Sequence, residues 1–482
     1  MSHHCSFHLM NSRENDPIKD MNMPIFGSKS ILEPLPKDVL PTAPTDPRIA
    51  YQLVKEETIA QIQPRLNLAT FVTTYMDSYA TRLMNDTIDV NYIDETEYPR
   101  IAGMTAKCIN MIANLWNTPE KEEWKTGAVA IGSSEACMLG GVAAWIQWKK
   151  RRQAAGKPYD KPNFVISAAY QVVWEKFALM WQIEMRTIPL SEDKRTLQPE
   201  DVIANCDENT IFVVAIEGVT WTGLNDDVEA IDKALDEFNT KNNLQIPIHI
   251  DGATGGFILP FLKPEHKWDF RLKWVYSINT SGHKYGLVYP GLGWIIWRGR
   301  ECVPEEMSFS VNYLGAQITQ IGLNFSRPAS QIVGQYYQFI RHGFEGYKSV
   351  QYNSWVIAKF LHETICDFKI FRAYSNDVDN PVFIFMLDPE FEEKSKWTLF
   401  DLEDGLKQYG WMVPAYTMPA NIEYLTVMRI VVRAGFSRDM ADMLLTDMKA
   451  AVEKLQMLEY PTHSRIQRDQ NVKNQKSAVV HC

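Results

Sequence analysis

The chain has 482 residues, a formal net charge of −10 at pH 7, and a composition that is 45% hydrophobic and 12% aromatic. A chain of this length usually divides into two or three domains, and this share of apolar residues can bury a sizeable core. The acidic balance and the lack of a basic stripe argue against nucleic acid as a partner. No apolar stretch approaches the ~18 residues of a spanning helix, and none follows the first charges, so we expect neither export nor an integral membrane segment.

The cysteines are scattered along the chain, and no two are spaced as in a CxxC motif. An odd number of scattered cysteines predicts free thiols in a reducing compartment, and hence a cytoplasmic protein. The seven are Cys5, Cys108, Cys137, Cys206, Cys302, Cys366 and Cys482.

Residues 1–62 are predicted to form an extended N-terminal arm. They contain seven prolines, which disfavour a compact fold. Three histidines near the front, His3, His4 and His8, suit either a metal ion or a solvated tail. Because a solvated tail is much the commoner setting for such a cluster, we predict no metal there.

Residues 63–346 are predicted to form a large domain in which helices and strands alternate. Such alternation implies a mainly parallel sheet with helices on both faces. A helix is predicted to begin near Ser134, and its apolar face is formed by Met138, Val142, Trp145 and Ile146. The elements predicted after it are a strand at 163–167, a helix at 170–181, a strand ending at Leu190, a strand at 211–216, a helix at 226–239 and a strand at 246–250.

Residues 347–464 are predicted to form a smaller C-terminal α/β domain, followed by an uncompacted polar tail at 465–482. The elements predicted in the smaller domain are a helix at 350–365, a strand at 382–387, a helix at 399–408, a strand at 424–432 and a helix at 440–455.

Lys284 lies in a turn of small and hydroxylated residues between two apolar runs. Glycines on both sides, Gly282 and Gly286, give the backbone freedom, and His283 is the immediate neighbour. Apolar surroundings lower an ammonium pKa and free the amine as a nucleophile. From this segment alone, a reactive lysine and a lysine that merely caps a turn are equally good interpretations.

Asp251 follows a short apolar run and opens a glycine-rich loop, DGATGGF. If the run is a buried parallel strand, Asp251 lies at its carboxyl end, where open α/β sheets bind ligands. A carboxylate there and a lysine some thirty residues later are what pyridoxal phosphate needs. The lysine forms a Schiff base, and the acid keeps the ring nitrogen protonated so that the ring withdraws electrons.

The segment SINTSGHKYGLVYPGLGWIIWR, which begins at Ser277, resembles the lysine segment of the glutamate decarboxylases, a branch of the pyridoxal-phosphate-dependent group II decarboxylases. The resemblance is to the bacterial members and runs from about Phe26 to the last residues. Several separated motifs agree with it in order and spacing. They are NLATF at 67–71, NYIDETEYP at 91–99, IGSSEACMLGG at 131–141 and NFSRP at 324–328.

This resemblance implies an α/β fold of the aspartate-aminotransferase-like class, fold type I, and a pyridoxal 5'-phosphate cofactor. It implies a carboxy-lyase that converts L-glutamate to 4-aminobutyrate and carbon dioxide, with a role in acid tolerance. A homodimer is the smallest active unit that it implies, and a homohexamer the assembly. Nothing after Leu458 contains the tryptophan of a plant-type calmodulin-binding segment, so calmodulin is not an expected partner.

The resemblance also assigns cofactor contacts. Ser133 and Ser134 open a helix, where serine commonly serves as an N-cap, but the family match implies that they hold the cofactor phosphate. The other implied cofactor contacts are Gln171, Thr220, Ala253 beneath the ring, Ser281, His283 and, from a neighbouring subunit, Ser326.

Arg429 is expected to bind the α-carboxylate of the substrate. A buried arginine requires an anionic partner, which could equally be a protein carboxylate, and the family match favours the substrate. For the distal carboxylate the resemblance implies Thr70, Phe71, Asn91 and Asp94, contributed across a dimer interface.

Two positions invite separate interpretation. Glu175 replaces a histidine that stacks on the cofactor in many bacterial members, which leaves Trp174 or the aliphatic stem of Glu175 to cover that face. His481 is the penultimate residue, as in several acid-active members, and the resemblance implies that it closes the site at neutral pH. Protonation near its ordinary pKa of ~6.5 would release it.

Three rival interpretations remain. His249, Asp251 and His283 occur in the order of a two-histidine, one-carboxylate iron site, although that reading leaves Lys284 unused. A non-catalytic scaffold would be expected to have lost Lys284 or Asp251. An aminotransferase or a decarboxylase of another amino acid would use the same lysine and aspartate, so only the substrate-binding residues distinguish these enzymes.

Overall fold

The computed structural model describes residues 38–311 and 318–470. The described residues up to Gln63 and those from Pro64 onward form two separate compact units. In the first unit, α1 (Pro47–Glu57) occupies part of the predicted extended arm. The prediction was wrong at this point because Pro47 stands at the first helical position, which proline favours, and the Asp46 side chain caps the helix.

The second unit contains the remaining helices and all the strands. Its helices are α2 (Ser78–Asn85), α3 (Pro99–Leu115), α4 (Ser133–Ala154), α5 (Val173–Trp181), α6 (Pro199–Asn205), α7 (Val228–Asn242), α8 (Leu259–Leu262), α9 (Ser330–Cys366), α10 (Pro389–Lys394), α11 (Leu399–Lys407) and α12 (Arg438–Gln456). Its strands are β1 (Gly127–Ala130), β2 (Asn163–Ser167), β3 (Glu184–Ile188), β4 (Thr210–Ile216), β5 (Ile248–Asp251), β6 (Val275–Thr280), β7 (Gly293–Trp297), β8 (Phe309–Val311), β9 (Ile318–Gln320), β10 (Phe371–Ala373), β11 (Val382–Leu387), β12 (Ala415–Thr417) and β13 (Thr426–Val431).

Seven strands form one sheet in the order β1-β7-β6-β5-β4-β2-β3. The pairings among β6, β5, β4, β2 and β3 are parallel, whereas β7 is antiparallel to both of its neighbours. The central strands β4 and β5 are buried along their whole length, as expected for strands covered on both faces. The predicted mainly parallel α/β sheet is confirmed, and Asp251 ends β5 at the carboxyl edge of the sheet.

Helix α4 crosses this sheet and starts at its carboxyl edge. Its closest approach requires a small residue, because a Cβ on Gly140 would lie 2.6 Å from Cε1 of His249. The most deeply buried positions of α4 are therefore largely small. The four members of the predicted apolar face are half-buried and pack against the hydrophobic cores: Met138, Val142, Trp145 and Ile146.

A second sheet of four strands, all antiparallel, has the order β10-β11-β13-β12. It packs against the second half of α9 and against α11 and α12, which share one apolar core with it. Strand β13 carries Arg429 opposite Ile384 of β11.

Several predicted elements lie within two residues of their observed bounds, notably β2, β4, β11, β13, α11 and α12. The helix predicted at 350–365 was wrong at its start, because α9 begins at Ser330 and continues through a kink at Gly343, where φ is +55°. Residues 463–470 are helical, whereas an uncompacted tail was predicted from 465. The described cysteines, five of the seven, are free thiols. Within the described ranges no helix is long and apolar enough to cross a membrane.

Candidate active site

A cavity of about 500 Å³ opens at the carboxyl edge of the seven-stranded sheet. It is bounded by the start of α4, the residues that follow β4 and β5, and the turn between β6 and β7. Nine of the residues predicted from the sequence line it, namely Ser133, Ser134, Gln171, Thr220, Asp251, Ala253, Ser281, His283 and Lys284.

Lys284 projects into this cavity from the β6–β7 turn. The turn is tight, because a Cβ on Gly286 would lie 2.5 Å from the Gly282 carbonyl oxygen. The Lys284 carbonyl accepts a 2.6 Å hydrogen bond from Thr73 Oγ1, which holds the backbone, while Nζ lies 5.0 Å from the centre of the Phe71 ring. Burial lowers the Lys284 pKa, against the opposing charge of Asp251. The side chain therefore faces the cavity, where burial favours the neutral form of its amine.

Asp251 is buried, and three donors hold its carboxylate. The Trp174 indole N–H donates to Oδ2 at 3.1 Å. The backbone N–H of Ala253 and Nδ2 of Asn279 donate to Oδ1 at 3.2 and 3.3 Å. These three donors hold the carboxylate in one orientation.

The two serines at the start of α4 lie at one end of the cavity. Ser133 Oγ is 2.8 Å from Ser281 Oγ, so two hydroxyls from separate elements meet there. Gly132 is the N-cap residue of α4, and no side chain caps the helix. The first-turn N–H groups are consequently free of the serine capping that was the alternative interpretation.

His283 packs beside this helix start. A Cβ on Gly132 would lie 3.0 Å from its Cε1, and Nδ1 accepts from the Leu292 N–H at 3.1 Å. Burial, followed by the charge of Lys284, lowers the His283 pKa to about 4. The imidazole is therefore neutral near neutral pH.

Arg429 does not itself line the cavity, but it contacts Thr220, which does. Its guanidinium is centred 4.8 Å from the Phe71 ring and donates to the backbone oxygens of Thr220 (2.5 Å) and Ala69 (2.9 Å). Its Nε is buried without a partner, and across 38–311 and 318–470 no carboxylate lies within ion-pair distance of the group. A structural ion pair, the alternative role for Arg429, is thus not observed in that part of the chain.

The residues expected to act across an interface fall into two groups. Phe71 contacts Lys284 and Arg429 of its own chain, and the same segment includes Thr70, so these two differ from the expectation. Asn91 donates to Asp94 (2.9 Å) and to Ser326 (3.4 Å) and forms a cluster that does not line the cavity.

The rival iron site is not assembled. Both ring nitrogens of His249 are engaged, Nδ1 with Ser277 Oγ at 2.7 Å and Nε2 with Asn279 Oδ1 at 2.8 Å. The part of the chain that the structure describes contains no group of three or more histidine, cysteine, aspartate or glutamate side chains suited to a metal ion.

Comparison with known proteins agrees with this geometry. Residues 51–387 match the pyridoxal-dependent decarboxylase conserved domain. The chain is 45% identical to glutamate decarboxylase from Lactococcus lactis subsp. lactis, over 93% of this chain and 96% of that protein. It is 44% identical to glutamate decarboxylase 5 from Arabidopsis thaliana, over 90% of this chain and 87% of that protein.

A solved structure of glutamate decarboxylase from Lactobacillus brevis superposes with a TM-score of 0.87 at 44% identity, and the match covers 90% of this chain and 99% of that one. The chain belongs to the glutamate decarboxylase family. Its fold is accordingly the fold type I α/β architecture of the pyridoxal-dependent decarboxylases, as the sequence predicted.

The residues around the cavity fit pyridoxal phosphate, the cofactor of the glutamate decarboxylase family. Lys284 supplies an amine for the aldehyde, and Asp251 supplies a carboxylate for the ring nitrogen. Ser133, Ser281 and the start of α4 supply donors for the phosphate. The Gly218 backbone (φ +81°) borders the cavity, and a Cβ there would lie 2.7 Å from Cβ of Thr254, so this wall requires glycine.

Glu175 is the position at which this chain differs from many bacterial members of the glutamate decarboxylase family. Neither Glu175 nor Trp174, the two residues predicted to cover the cofactor face, lines the cavity. Glu175 is exposed and accepts a 2.6 Å hydrogen bond from the Tyr170 hydroxyl, and Trp174 is fully buried behind Asp251. Both proposed coverings were therefore wrong. Gln171 lies at this wall instead, where its Oε1 caps α5 through the Val173 N–H at 2.7 Å.

Sequence reasoning missed Arg433, Asn279 and Cys137. Arg433 is buried and donates to the backbone oxygens of Asn67 and Thr70, so it holds the segment that carries Phe71. A second arginine four residues after Arg429, in an otherwise apolar run, was the available signal. Cys137 is buried in the cavity wall, where burial and the nearby Asp251 raise its thiol pKa.

Glu217, directly after β4, connects the cavity edge to a buried ion pair. Its backbone N–H donates to the Asp251 carbonyl (3.0 Å), and its carbonyl accepts from the Gly255 N–H (2.9 Å). Its carboxylate is buried 3.5 Å from Nε2 of His266. Burial raises the Glu217 pKa to about 7, although His266 opposes the shift, and donation of a hydrogen bond to the Glu217 carboxylate raises the His266 pKa.

Both shifts predict that stability falls as the pH rises. A group whose pKa is higher in the folded state contributes its full stabilisation of the fold below its unfolded-state pKa and loses it as the pH rises through the folded-state pKa. For Glu217 these two pKa values are 4.5 and about 7. We therefore expect the Tm of Glu217→Gln to fall less than that of the wild type between about pH 5 and about pH 8. The pKa change corresponds to roughly 3 kcal/mol of unfolding free energy.

Thermal unfolding of both proteins at the two pH values measures this difference. Glu229→Gln is the matched control, because Glu229 is exposed and paired with Lys267, and it should keep the wild-type pH dependence. Equal falls in Tm for Glu217→Gln and the wild type would contradict the assignment.

Proposed function

We propose that this protein decarboxylates L-glutamate to 4-aminobutyrate and carbon dioxide with pyridoxal 5'-phosphate held on Lys284. The observation that carries the proposal is the convergence of Lys284, Asp251 and the serine pair on one cavity, with Arg429 free of any described carboxylate beside it. The membership of the glutamate decarboxylase family supports glutamate as the substrate.

Bound pyridoxal phosphate supplies an electron-withdrawing ring that stabilises negative charge at the α-carbon of an amino acid. Lys284 provides the attachment point, because desolvation lowers its pKa and makes its amine nucleophilic. Asp251 would face the ring nitrogen and favour its protonated form, and its three donors keep the carboxylate aimed at the cavity.

Arg429 binds the α-carboxylate of the substrate and orients the bond that breaks. Its guanidinium donates to two backbone oxygens, but Nε is buried without a partner and no described carboxylate balances the charge, so the substrate carboxylate is a favourable partner. Phe71, between Arg429 and Lys284, excludes water on that side. Lys284 is the proposed general acid, which returns a proton to the α-carbon after carbon dioxide leaves.

The direct test supplies the purified holoenzyme with L-glutamate and quantifies carbon dioxide and 4-aminobutyrate. Aspartate and aromatic amino acids are the control substrates, and Lys284→Ala is the control protein. Equal amounts of the two products from glutamate alone support the proposal. Formation of 2-oxoglutarate without carbon dioxide would identify an aminotransferase instead.

Replacing Arg429 with glutamine is expected to raise KM for glutamate and to lower kcat/KM by roughly 100-fold, because the lost charged hydrogen bonds are worth about 1.5–3 kcal/mol. Steady-state kinetics measure the change, and the Tm should alter little. Arg433→Gln is the matched control, since Arg433 holds only backbone and Thr74 oxygens, and it should lower the Tm more than it raises KM. An unchanged KM in Arg429→Gln would remove the residue from the substrate site.

We further propose that the active unit is a homodimer within a homohexamer. Asn91, Asp94 and Ser326 form a polar cluster outside the cavity of their own chain, which suits residues that complete a neighbour's site. Thr70 and Phe71 are assigned to the substrate pocket of their own chain.

Hybrid dimers test this assembly. Lys284→Ala and Asn91→Trp are each expected to be nearly inactive, whereas a mixed dimer contains one site with both native residues and should regain up to half of the wild-type activity per dimer. Activity after co-expression and separation by two affinity tags measures the recovery. No recovery in verified hybrids would mean that each site is built from one chain.

The remaining predictions concern setting and regulation. We propose a cytoplasmic enzyme whose reaction consumes a proton and so contributes to acid tolerance. His481 lies outside the described residues, and we retain it as the residue that closes the site near neutral pH. Residues 1–62, 63–346, 347–464 and 465–482 remain the proposed arm, large domain, small domain and tail.

A further inference from the structure

His249 is a buried residue of β5 that the reaction outlined above does not use. It precedes Asp251 by two positions, so both side chains leave the strand on the same face. In the parallel neighbour β6, Ser277 is paired with His249 and Asn279 with Asp251. The register therefore places four polar side chains in one buried patch behind the cavity.

These side chains form a chain of hydrogen bonds that ends on Asp251. Ser277 Oγ lies 2.7 Å from His249 Nδ1, and His249 Nε2 lies 2.8 Å from Asn279 Oδ1. Nδ2 of Asn279 then donates to Asp251 Oδ1 at 3.3 Å. His249, Asn279 and Asp251 are each at most 4% exposed, so water does not compete for these bonds.

The direction of the chain follows from chemistry. An ionised carboxylate only accepts, so Asn279 must turn its amide nitrogen towards Asp251 and its oxygen towards His249. That oxygen also only accepts, so Nε2 of His249 must carry the hydrogen. In a neutral ring Nδ1 then accepts from the Ser277 hydroxyl. With the amide reversed, two oxygens would face each other beside Asp251, and the Nε2 hydrogen would lose its acceptor.

The surroundings keep the ring neutral and fixed. Burial lowers the His249 pKa, against the opposing effects of Asp251 and the Asn279 hydrogen bond. From α5, the Trp174 ring lies edge-on to the imidazole at 5.3 Å while its N–H reaches Asp251. From α4, Gly140 leaves room for the ring, and Cys137 is the titratable group that faces Asp251.

We propose that His249 is a positioning residue which, by fixing the orientation of the Asn279 amide, holds the Asp251 carboxylate towards the cofactor ring nitrogen. The proposal rests on the proposed function only through the role of Asp251. In this proposal the H-x-D pair of β5 is not a metal site: Asp251 is the acid that faces the cofactor, and His249 orients it through Asn279.

The test compares two replacements of His249 in the full-length protein. His249→Leu removes the donor to Asn279 Oδ1, whereas His249→Gln places an amide nitrogen near the Nε2 position. Titration of each apoprotein with pyridoxal phosphate gives Kd.

We expect His249→Leu to weaken cofactor binding by roughly 10-fold or more, because a buried hydrogen bond is lost. His249→Gln, which retains that bond, should weaken it by no more than about 3-fold. In both variants KM for glutamate should stay near the wild-type value while kcat falls in the Leu variant.

A double-mutant cycle separates positioning from general loosening of the core. Asn279→Ala should weaken pyridoxal phosphate to an extent similar to His249→Leu, and the double variant should be weaker than the worse single variant by no more than about 3-fold, because the two residues act as one unit. If His249→Leu does not fold, the Kd of Asn279→Ala for pyridoxal phosphate is compared with that of the wild type instead.

Wild-type affinity in His249→Leu or in Asn279→Ala, equal loss in the Leu and Gln variants, or full additivity in the cycle would each overturn the proposal. If the wild type binds pyridoxal phosphate on Lys284 but does not decarboxylate glutamate, the substrate assignment fails while the Kd series still decides the role of His249.

Discussion

Lys284→Ala is expected to lose the covalent link to pyridoxal phosphate and to lower kcat on the order of 10³-fold or more, because it removes the amine that serves as attachment point and proton donor. Within the described ranges, Lys284 is the single lysine in the cavity wall. The absorption band of the lysine-bound cofactor should disappear, and added pyridoxal phosphate should be removed by gel filtration.

Borohydride reduction of the wild-type holoenzyme, followed by peptide mapping, locates the attachment directly. The label is expected on the peptide that contains Lys284. Lys263→Ala is the matched control, because Lys263 lies outside the cavity in an ion pair with Asp379 and its replacement should leave the label in place. Label on any other lysine would disprove the assignment of Lys284.

Asp251→Asn is expected to weaken cofactor binding and to lower kcat on the order of 100-fold or more, because a neutral amide cannot hold a proton on the ring nitrogen. The amide also cannot accept every bond that the carboxylate accepts from Trp174, Asn279 and the Ala253 N–H. Cofactor titration and single-turnover kinetics measure the two effects separately.

Asp226→Asn provides the control for Asp251→Asn. Asp226 is an equally buried carboxylate that accepts from the Leu197 and Ile216 N–H groups and does not itself line the cavity. Its replacement should lower the Tm and leave the Kd for pyridoxal phosphate near the wild-type value. Turnover of Asp251→Asn within a few-fold of the wild type would mean that another group protonates the ring.

The sequence predicted those parts of the fold where local pattern and tertiary setting agree. Strands such as β4 are continuous apolar runs that only a covered sheet can bury, so their bounds follow from composition. It failed where packing overrides pattern. Gly343 interrupts the helical pattern of α9, yet the helix resumes beyond it because its far half packs on the second core. In α4 the closest contact is made by glycines, which carry no hydrophobic signal.

The candidate site divides in the same way. Residues within contiguous motifs, such as Ser133 and Lys284, could be named because those motifs resemble the corresponding segments of a known family. The network behind Asp251 could not, since the pairing of His249 with Ser277 and of Asp251 with Asn279 depends on the register of two strands. Glu175 was considered at the cofactor face because the resemblance aligns it with a histidine that stacks there, whereas in the structure it is exposed and accepts a hydrogen bond from Tyr170.

The central claim is that this protein removes the α-carboxylate of glutamate and replaces it with a proton. Its most direct measurement is a reaction in D₂O with glutamate labelled with ¹³C at the α-carboxylate. Decarboxylation predicts that all of the ¹³C appears as carbon dioxide and that the 4-aminobutyrate contains a single deuterium at the former α-carbon. Retention of the ¹³C in an amino- or oxo-acid product, or 4-aminobutyrate without solvent deuterium at that carbon, would contradict the account.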